Sequence, residues 1–331
     1  MDSYPAKVGA DPLLHRVLDD VGDIHGATEN FRAAQLLRRD ELFAKLEDSE
    51  PPRRLICYLS TWGGIDQSDA APIGSMLDAV GECERLDLMI NSPGGFGETA
   101  EKLIEMCRAH CTDEFRVVVP NWAKSAATMI ALGADAIVMG YLSELGPIDP
   151  QYEISIGNVS QVVSGQSFIQ AYETAQAKAR EAVANGESPV GYLQSLNAST
   201  MEPAFIDHCR RGIEFSRDIA QKYLPKYQFP AKLTAAGETR TPATLRKWAK
   251  KAAENLLSAN TRFSHGRLIG GEEARDEVGL HVLLLDREDP IWQAYWELYV
   301  RAEVYMQTLP PMGDRRPSKL FLDRYSVLPA F

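Results

Sequence analysis

Histidine and cysteine are scarce in this chain, with six and five among 331 residues. Cys57, Cys83, Cys107, Cys111 and Cys209 form an odd, scattered set, which excludes a disulfide framework as the basis of the fold. Positive charge is also short: 35 Lys and Arg stand against 46 Asp and Glu, a formal net charge of -11. Such a balance repels phosphate backbones and anionic membrane surfaces at long range. The basic stretch Arg246-Lys247-Trp248-Ala249-Lys250-Lys251 reads as a solvated helix face. No apolar run reaches the roughly 18 residues a spanning helix needs. Met1-Asp2-Ser3-Tyr4-Pro5 lacks the basic-then-apolar order of a signal peptide. The expectation is a cytoplasmic protein with no nucleic-acid partner and no membrane span.

What the chain does have is apolar content, 45% of its residues, enough for one large α/β core with appendages. Residues 1–50 read as an irregular arm followed by a helix over 29–47, where Phe31, Leu36, Leu37, Leu42, Phe43 and Leu46 recur on one side. Strand candidates at 54–60, 86–91, 115–120 and 136–139 then alternate with helices at 71–83, 98–110 and 126–132. Short apolar strands alternating with helices predict a parallel sheet of βαβ units. Residues 166–188 predict a long polar helix, 199–224 and 242–257 two more, and 281–285 a late strand. The main domain is expected over 51–290, with 199–257 as a helical insert. Residues 291–331 are expected to hold an aromatic-rich helix and an extended tail.

Two segments carry chemistry. Asn91-Ser92-Pro93-Gly94-Gly95-Phe96-Gly97 ends an apolar strand and opens a helix. Bare backbone at a helix N-terminus suits an anion or a developing oxyanion. Gly95-Phe96-Gly97-Glu98-Thr99-Ala100 also fits the dinucleotide-binding pattern. That fold wants an acidic residue closing the next strand, which here ends in Pro120-Asn121, so no cofactor is expected.

The second segment is Pro120-Asn121-Trp122-Ala123-Lys124-Ser125-Ala126-Ala127-Thr128-Met129. Small residues surround one serine at the mouth of a helix, and the next N–H, of Ala126, could donate to an oxyanion. This is the logic of a nucleophile elbow without the G-x-S-x-G sequence. Ser125 could equally be the N-cap of a buried Ala-rich helix.

Together, N-S-P-G-G and a later serine flanked by small residues resemble the ClpP/crotonase superfamily of serine peptidases. Ala123 to Thr128, Leu132 to Asp135 and Ser143 to Gln151 are most similar to the serine dehydrogenase proteinase family, related to ClpP and signal peptide peptidase A. The resemblance covers about 86–151 and returns from Ser264-His265-Gly266 to Val278-Gly279-Leu280. It implies a ClpP/crotonase-like spiroid, with 166–188 as the long protruding helix through which relatives assemble. It further implies acyl transfer to Ser125, with Gly94 or Gly95 and Ala126 as oxyanion donors. Peptide or protein substrates, a homo-oligomer and an unknown ATPase or regulatory partner are implied in the same way.

The base departs from the ClpP pattern. Asp149 stands at the spacing where ClpP places its histidine, and His265 stands ahead of Glu273-Ala274 where ClpP has its aspartate. The expectation is a triad of Ser125, Asp149 and His265, since triad geometry is independent of chain order. Signal peptide peptidase A instead pairs its serine with a lysine far downstream, a placement that Lys178 shares. Lys124 could bind a substrate carboxylate or be solvated. Cys107-Arg108-Ala109-His110-Cys111 places three potential ligands within one turn, but no metal is expected there. Competing readings are a catalytically silent ClpP-like scaffold and a crotonase-type acyl-thioester enzyme that needs no serine.

Overall fold

The computed structural model describes residues 38–331 apart from 49, 157–158, 197–201, 232–240 and 263–265. Along the first half run α1 (Arg39–Glu47), β1 (Arg54–Ser60), α2 (Ala70–Val80), β2 (Cys83–Asn91), α3 (Gly97–His110) and β3 (Cys111–Val119). They are followed by β4 (Trp122–Ala123), α4 (Ala126–Leu132), β5 (Ala136–Met139) and β6 (Glu144–Leu145). The expected strands at 54–60 and 136–139 and the helix at 126–132 fall on these bounds. The expected helix at 29–47 is described from Arg39 onward, and its earlier part lies outside the described residues.

The second half holds the antiparallel hairpin β7 (Gln151–Ile156) and β8 (Val159–Ser164), which leads into α5 (Gly165–Ala184). After it come α6 (Val190–Leu196), α7 (Pro203–Tyr223), α8 (Pro242–Arg262), β9 (Ile269–Gly270) and β10 (Val282–Leu284). The chain closes with α9 (Pro290–Thr308), β11 (Lys319–Leu322) and β12 (Val327–Ala330).

The main sheet has seven strands in the order β10-β5-β3-β2-β1-β11-β12. Its first five strands are mutually parallel, as the βαβ alternation predicts. The extended tail is built into this sheet: β11 adds antiparallel to β1, and β12 to β11.

Alternating strand residues serve two apolar layers, which is why these strands read as continuous hydrophobic runs. Ile56, Tyr58, Leu88, Ile90, Val117, Val119 and Ile137 join the core that holds α2, α3 and α4. Leu55, Cys57, Leu59, Met89, Val118 and Val138 point the other way, against α1 and α9. On that second face Asp87 is buried among cations. Burial pushes its carboxyl up, but Arg116, Arg53 and the Tyr295 hydroxyl outweigh burial and hold it below the usual range.

In an open parallel sheet, functional crevices lie beyond the carboxyl ends of the strands. Here those ends carry the Asn91–Gly97 turn after β2 and the Ser125 segment after β3.

Candidate active site

The two segments are zipped together by their backbones. Ser92 N–H donates to Trp122 O (3.1 Å) and Lys124 N–H donates to Ser92 O (3.0 Å). The buried Asn91 side chain accepts the Trp122 N–H at 3.1 Å and donates to Ser60 O at 3.3 Å, tying the end of β1 to the same place. A short polar side chain at this position therefore joins three chain segments. An apolar replacement would leave buried backbone groups unpaired at about 1–3 kcal/mol each.

Ser125 has φ 50 and ψ -114, and it is the only non-glycine residue with positive φ among the described residues. Holding a serine there stores strain of about 1–3 kcal/mol. It occupies the N-cap position of α4, yet its side chain makes no capping hydrogen bond. The capping reading therefore does not account for it. Its hydroxyl has no hydrogen-bond partner among the described residues. The helix behind it is buried throughout, from Ala126 to Leu132.

The glycine pair is shaped by two close approaches. A Cβ on Gly94 would lie 2.7 Å from Ser125 Cβ and 3.2 Å from Ala126 N, so only a bare backbone leaves room above the serine. A Cβ on Gly95 would lie 2.3 Å from Ile65 N and O. Ile65 clamps this turn: its N–H donates to Gly94 O (2.7 Å), and its carbonyl accepts Phe96 N–H (2.8 Å). The Gly94 N–H is engaged with Ser92 Oγ at 3.2 Å, whereas the N–H groups of Gly95 and Ala126 are unspent within the described residues.

Ile65 belongs to a loop that sequence reasoning passed over. Lys319 Nζ, from β11, reaches Asp66 at 2.7 Å and Asp69 at 2.7 Å, and Tyr58 Oη donates to Asp69 at 2.8 Å. Hydrogen bonding from Lys319, then from Ser68, pulls the Asp66 carboxyl down to about 2. Trp62 (86% exposed) and Phe96 (66% exposed) flank the clamp and present apolar surface beside the turn.

Thr128 links the elbow to the segment that carries Asp149. Its buried Oγ1 lies 2.7 Å from Ala123 O and accepts the Gly146 N–H at 3.1 Å. Asp149 itself is 1% exposed, and its Oδ2 accepts from Gln151 Nε2 at 2.5 Å. The neighbouring Ile148 N–H points to Leu256 O of α8, at 3.4 Å. His265 lies outside the described residues, a few positions past the end of α8.

Other expected participants sit elsewhere or are engaged. Lys178 is exposed on α5, in a groove with Gln170, Thr174 and Tyr192 of α6. Lys124 is neither solvated nor open to a substrate carboxylate: its Nζ pairs with Glu144 at 2.8 Å and donates to Leu145 O. His110 ends α3, roughly 20 Å along the helix from its N-terminus at the glycine turn. His281 holds Asp135 O at 2.7 Å, at the opposite ends of the parallel strands. The His208 ring packs against Tyr152, with centroids 5.2 Å apart.

In this α/β protein a strained serine at a strand-to-helix turn thus lies opposite a bare glycine turn, beyond the carboxyl ends of parallel strands. Residues 62–179 match the family model described as ClpP-like SDH-type serine proteinase. Two uncharacterized proteins of Methanocaldococcus jannaschii are similar, one 40% identical over 87 residues (26% of this chain, 30% of its own length). The other is 36% identical over 66 residues (20% of this chain, 22% of its own length). The chain thus spans less than a third of the length of either curated relative.

Among solved structures, a mutant of the 1510-N membrane-bound stomatin-specific protease is 13% identical, with 70% of this chain and 80% of that chain covered and a TM-score of 0.39. ClpP1 from Listeria monocytogenes is 14% identical, covering 76% and 99%, with a TM-score of 0.36. No helix among the described residues is long and apolar enough to cross a membrane.

Proposed function

We propose that the chain is a serine endopeptidase that cleaves peptide bonds through an acyl-enzyme on Ser125. The observation that carries this reading is the left-handed Ser125, uncapped and bare-sided against Gly94 at the head of α4. In this reading the substrate carbonyl carbon is attacked by Ser125 Oγ. The N–H groups of Gly95 and Ala126 receive the developing oxyanion, a contribution worth about 3–4 kcal/mol per donor in such sites. Their freedom from other bonds supports this role.

His265 serves as general base and Asp149 fixes its tautomer and stabilises the imidazolium. Support comes from the burial of Asp149, from the Thr128 link between elbow and Asp149 segment, and from the contact of Ile148 with α8. Trp62 and Phe96 offer apolar contacts to peptide side chains on either side of the scissile bond. The hairpin β7–β8 with α5 and α6 exposes Val162, Val183, Val190 and Leu193, an apolar set suited to self-association into an oligomer.

A fluorophosphonate probe tests the reading. Stoichiometric labelling of the intact chain, abolished by Ser125→Ala, is the expected result. An assembled, folded chain that takes no label would instead mark a silent scaffold or an enzyme without a serine nucleophile.

A further inference from the structure

Two cysteines outside the site stand side by side. Cys83 opens β2 and Cys111 opens β3, and they are direct partners in the parallel register of these strands. Neighbouring strands run about 4.7–4.9 Å apart, within the Cα separations of about 4.4–6.8 Å that a disulfide accepts. Partners in register project from the same face of a sheet, so the two sulfurs face each other's side. The ladder shifts register between Cys83 and Arg85, and such an irregularity gives the backbone room to adjust. Both cysteines are free and partly exposed, whereas Cys57, Cys107 and Cys209 are buried.

We propose that Cys83 and Cys111 form a peroxide-responsive dithiol that closes to an intramolecular disulfide. The two sulfurs have different roles. The Cys83 S–H, then the backbone N–H groups of Asp113 and Leu86 and the charge of Arg108, pull the Cys111 thiol down to about 7 against its partial burial. Cys83 is pushed up, first by the adjacent Cys111 sulfur and then by burial, so it stays protonated. A thiolate at neutral pH is the attacking species. The Cys111 thiolate attacks one peroxide oxygen and breaks the O–O bond, giving a sulfenic acid and hydroxide. The Cys83 sulfur then displaces the sulfenic oxygen as water and gives up its proton. Two thiols and one peroxide become one disulfide and two waters, and the peroxide takes the two electrons.

The pair lies at the amino ends of β2 and β3, and the glycine turn and Ser125 lie beyond their carboxyl ends, roughly 25 Å away. The dithiol is therefore separate from the proposed peptidase chemistry and stands or falls independently of it.

The experiment exposes the intact reduced chain to a modest molar excess of hydrogen peroxide and counts thiols after denaturation. The count is expected to fall by two from five, with a Cys83–Cys111 linked peptide found by mass spectrometry and the chain still monomeric on a non-reducing denaturing gel. Cys83→Ser should stop at a sulfenic acid on Cys111 that dimedone traps, and Cys111→Ser should lose no thiol at that dose. Persistence of all five thiols, a disulfide between two chains, or dimedone trapping at a different cysteine would overturn the proposal.

Discussion

Gly94 and Ser125 touch: the position of a Cβ on Gly94 is 2.7 Å from Ser125 Cβ and 2.8 Å from Lys124 O. Gly94 also has φ 104, which strains any other residue. Gly94→Ala must therefore push the serine or its preceding peptide out of place. A misplacement of about 1 Å costs roughly 100-fold in rate. Fluorophosphonate labelling of Gly94→Ala should slow by at least that much, with a lower Tm, while circular dichroism stays that of a folded chain. Labelling at the native rate would show that the contact is not needed.

Ser125 itself predicts a trade of activity for stability. Glycine adopts φ 50 without the strain of about 1–3 kcal/mol that serine bears, and it forfeits about 0.5–1 kcal/mol through its freer unfolded chain. Ser125→Gly should thus be about 1 kcal/mol more stable and melt about 2 °C higher. Ser125→Ala, which keeps the strain, should melt near the native temperature. Both should be inactive. Equal Tm values for the two variants would remove the strain argument.

The sheet and the elbow were legible because their causes are local. Alternation of Leu55, Cys57 and Leu59 with Ile56 and Tyr58, the Asn91–Gly97 turn and the small residues around Ser125 each act over a few positions. The hairpin at 151–164 escaped notice, although Gly157-Asn158 between apolar, alternating runs is a turn signal. What no local pattern could reveal is long-range closure. The positive φ of Ser125 comes from zipping 92 to 122–124, and the Lys124–Glu144 pair joins two short strands. The Ile65 clamp is held from Lys319, more than two hundred residues further on.

That distant lysine yields a third prediction. Lys319 and Asp69 are both buried and 2.7 Å apart, so removing one charge strands the other. Such losses cost about 3–5 kcal/mol. Lys319→Met should lower Tm markedly and, because Asp66 follows Ile65 directly, loosen the Gly94–Gly95 turn. The expected kinetic signature is a fall in kcat with little change in KM. Pairing it with Asp69→Asn should recover much of the stability. No recovery in the double variant would argue against the ion pair as the cause.

Asp66 gives the same loop a pH signature. Its folded carboxyl titrates at about 2, below the ordinary value of 3.8. A depressed carboxylate binds its proton less readily when folded, so its stabilising effect is full above about 3.8 and disappears as pH falls towards 2. Between pH 4 and pH 2 the native Tm should fall more steeply than that of Asp66→Asn. Parallel curves across that window would mean that Asp66 contributes nothing to the acid transition.

The proton acceptor of Ser125 can be identified from pH profiles of three variants. Lys178 is exposed on α5, in a groove with Thr174 and Tyr192, so Lys178→Ala should keep kcat/KM within about twofold. A histidine base titrates near pH 6.5, and the native profile should show an acid limb in that region. His265→Ala should abolish that limb and lower kcat/KM by about 1,000-fold or more. Asp149→Asn should produce a loss of similar size by favouring the wrong tautomer. Because Asp149 is buried against Gln151, its amide replacement keeps a polar group there and should fold. If Lys178→Ala removes activity while His265→Ala retains it, the serine is paired with the lysine and the proposed triad is wrong.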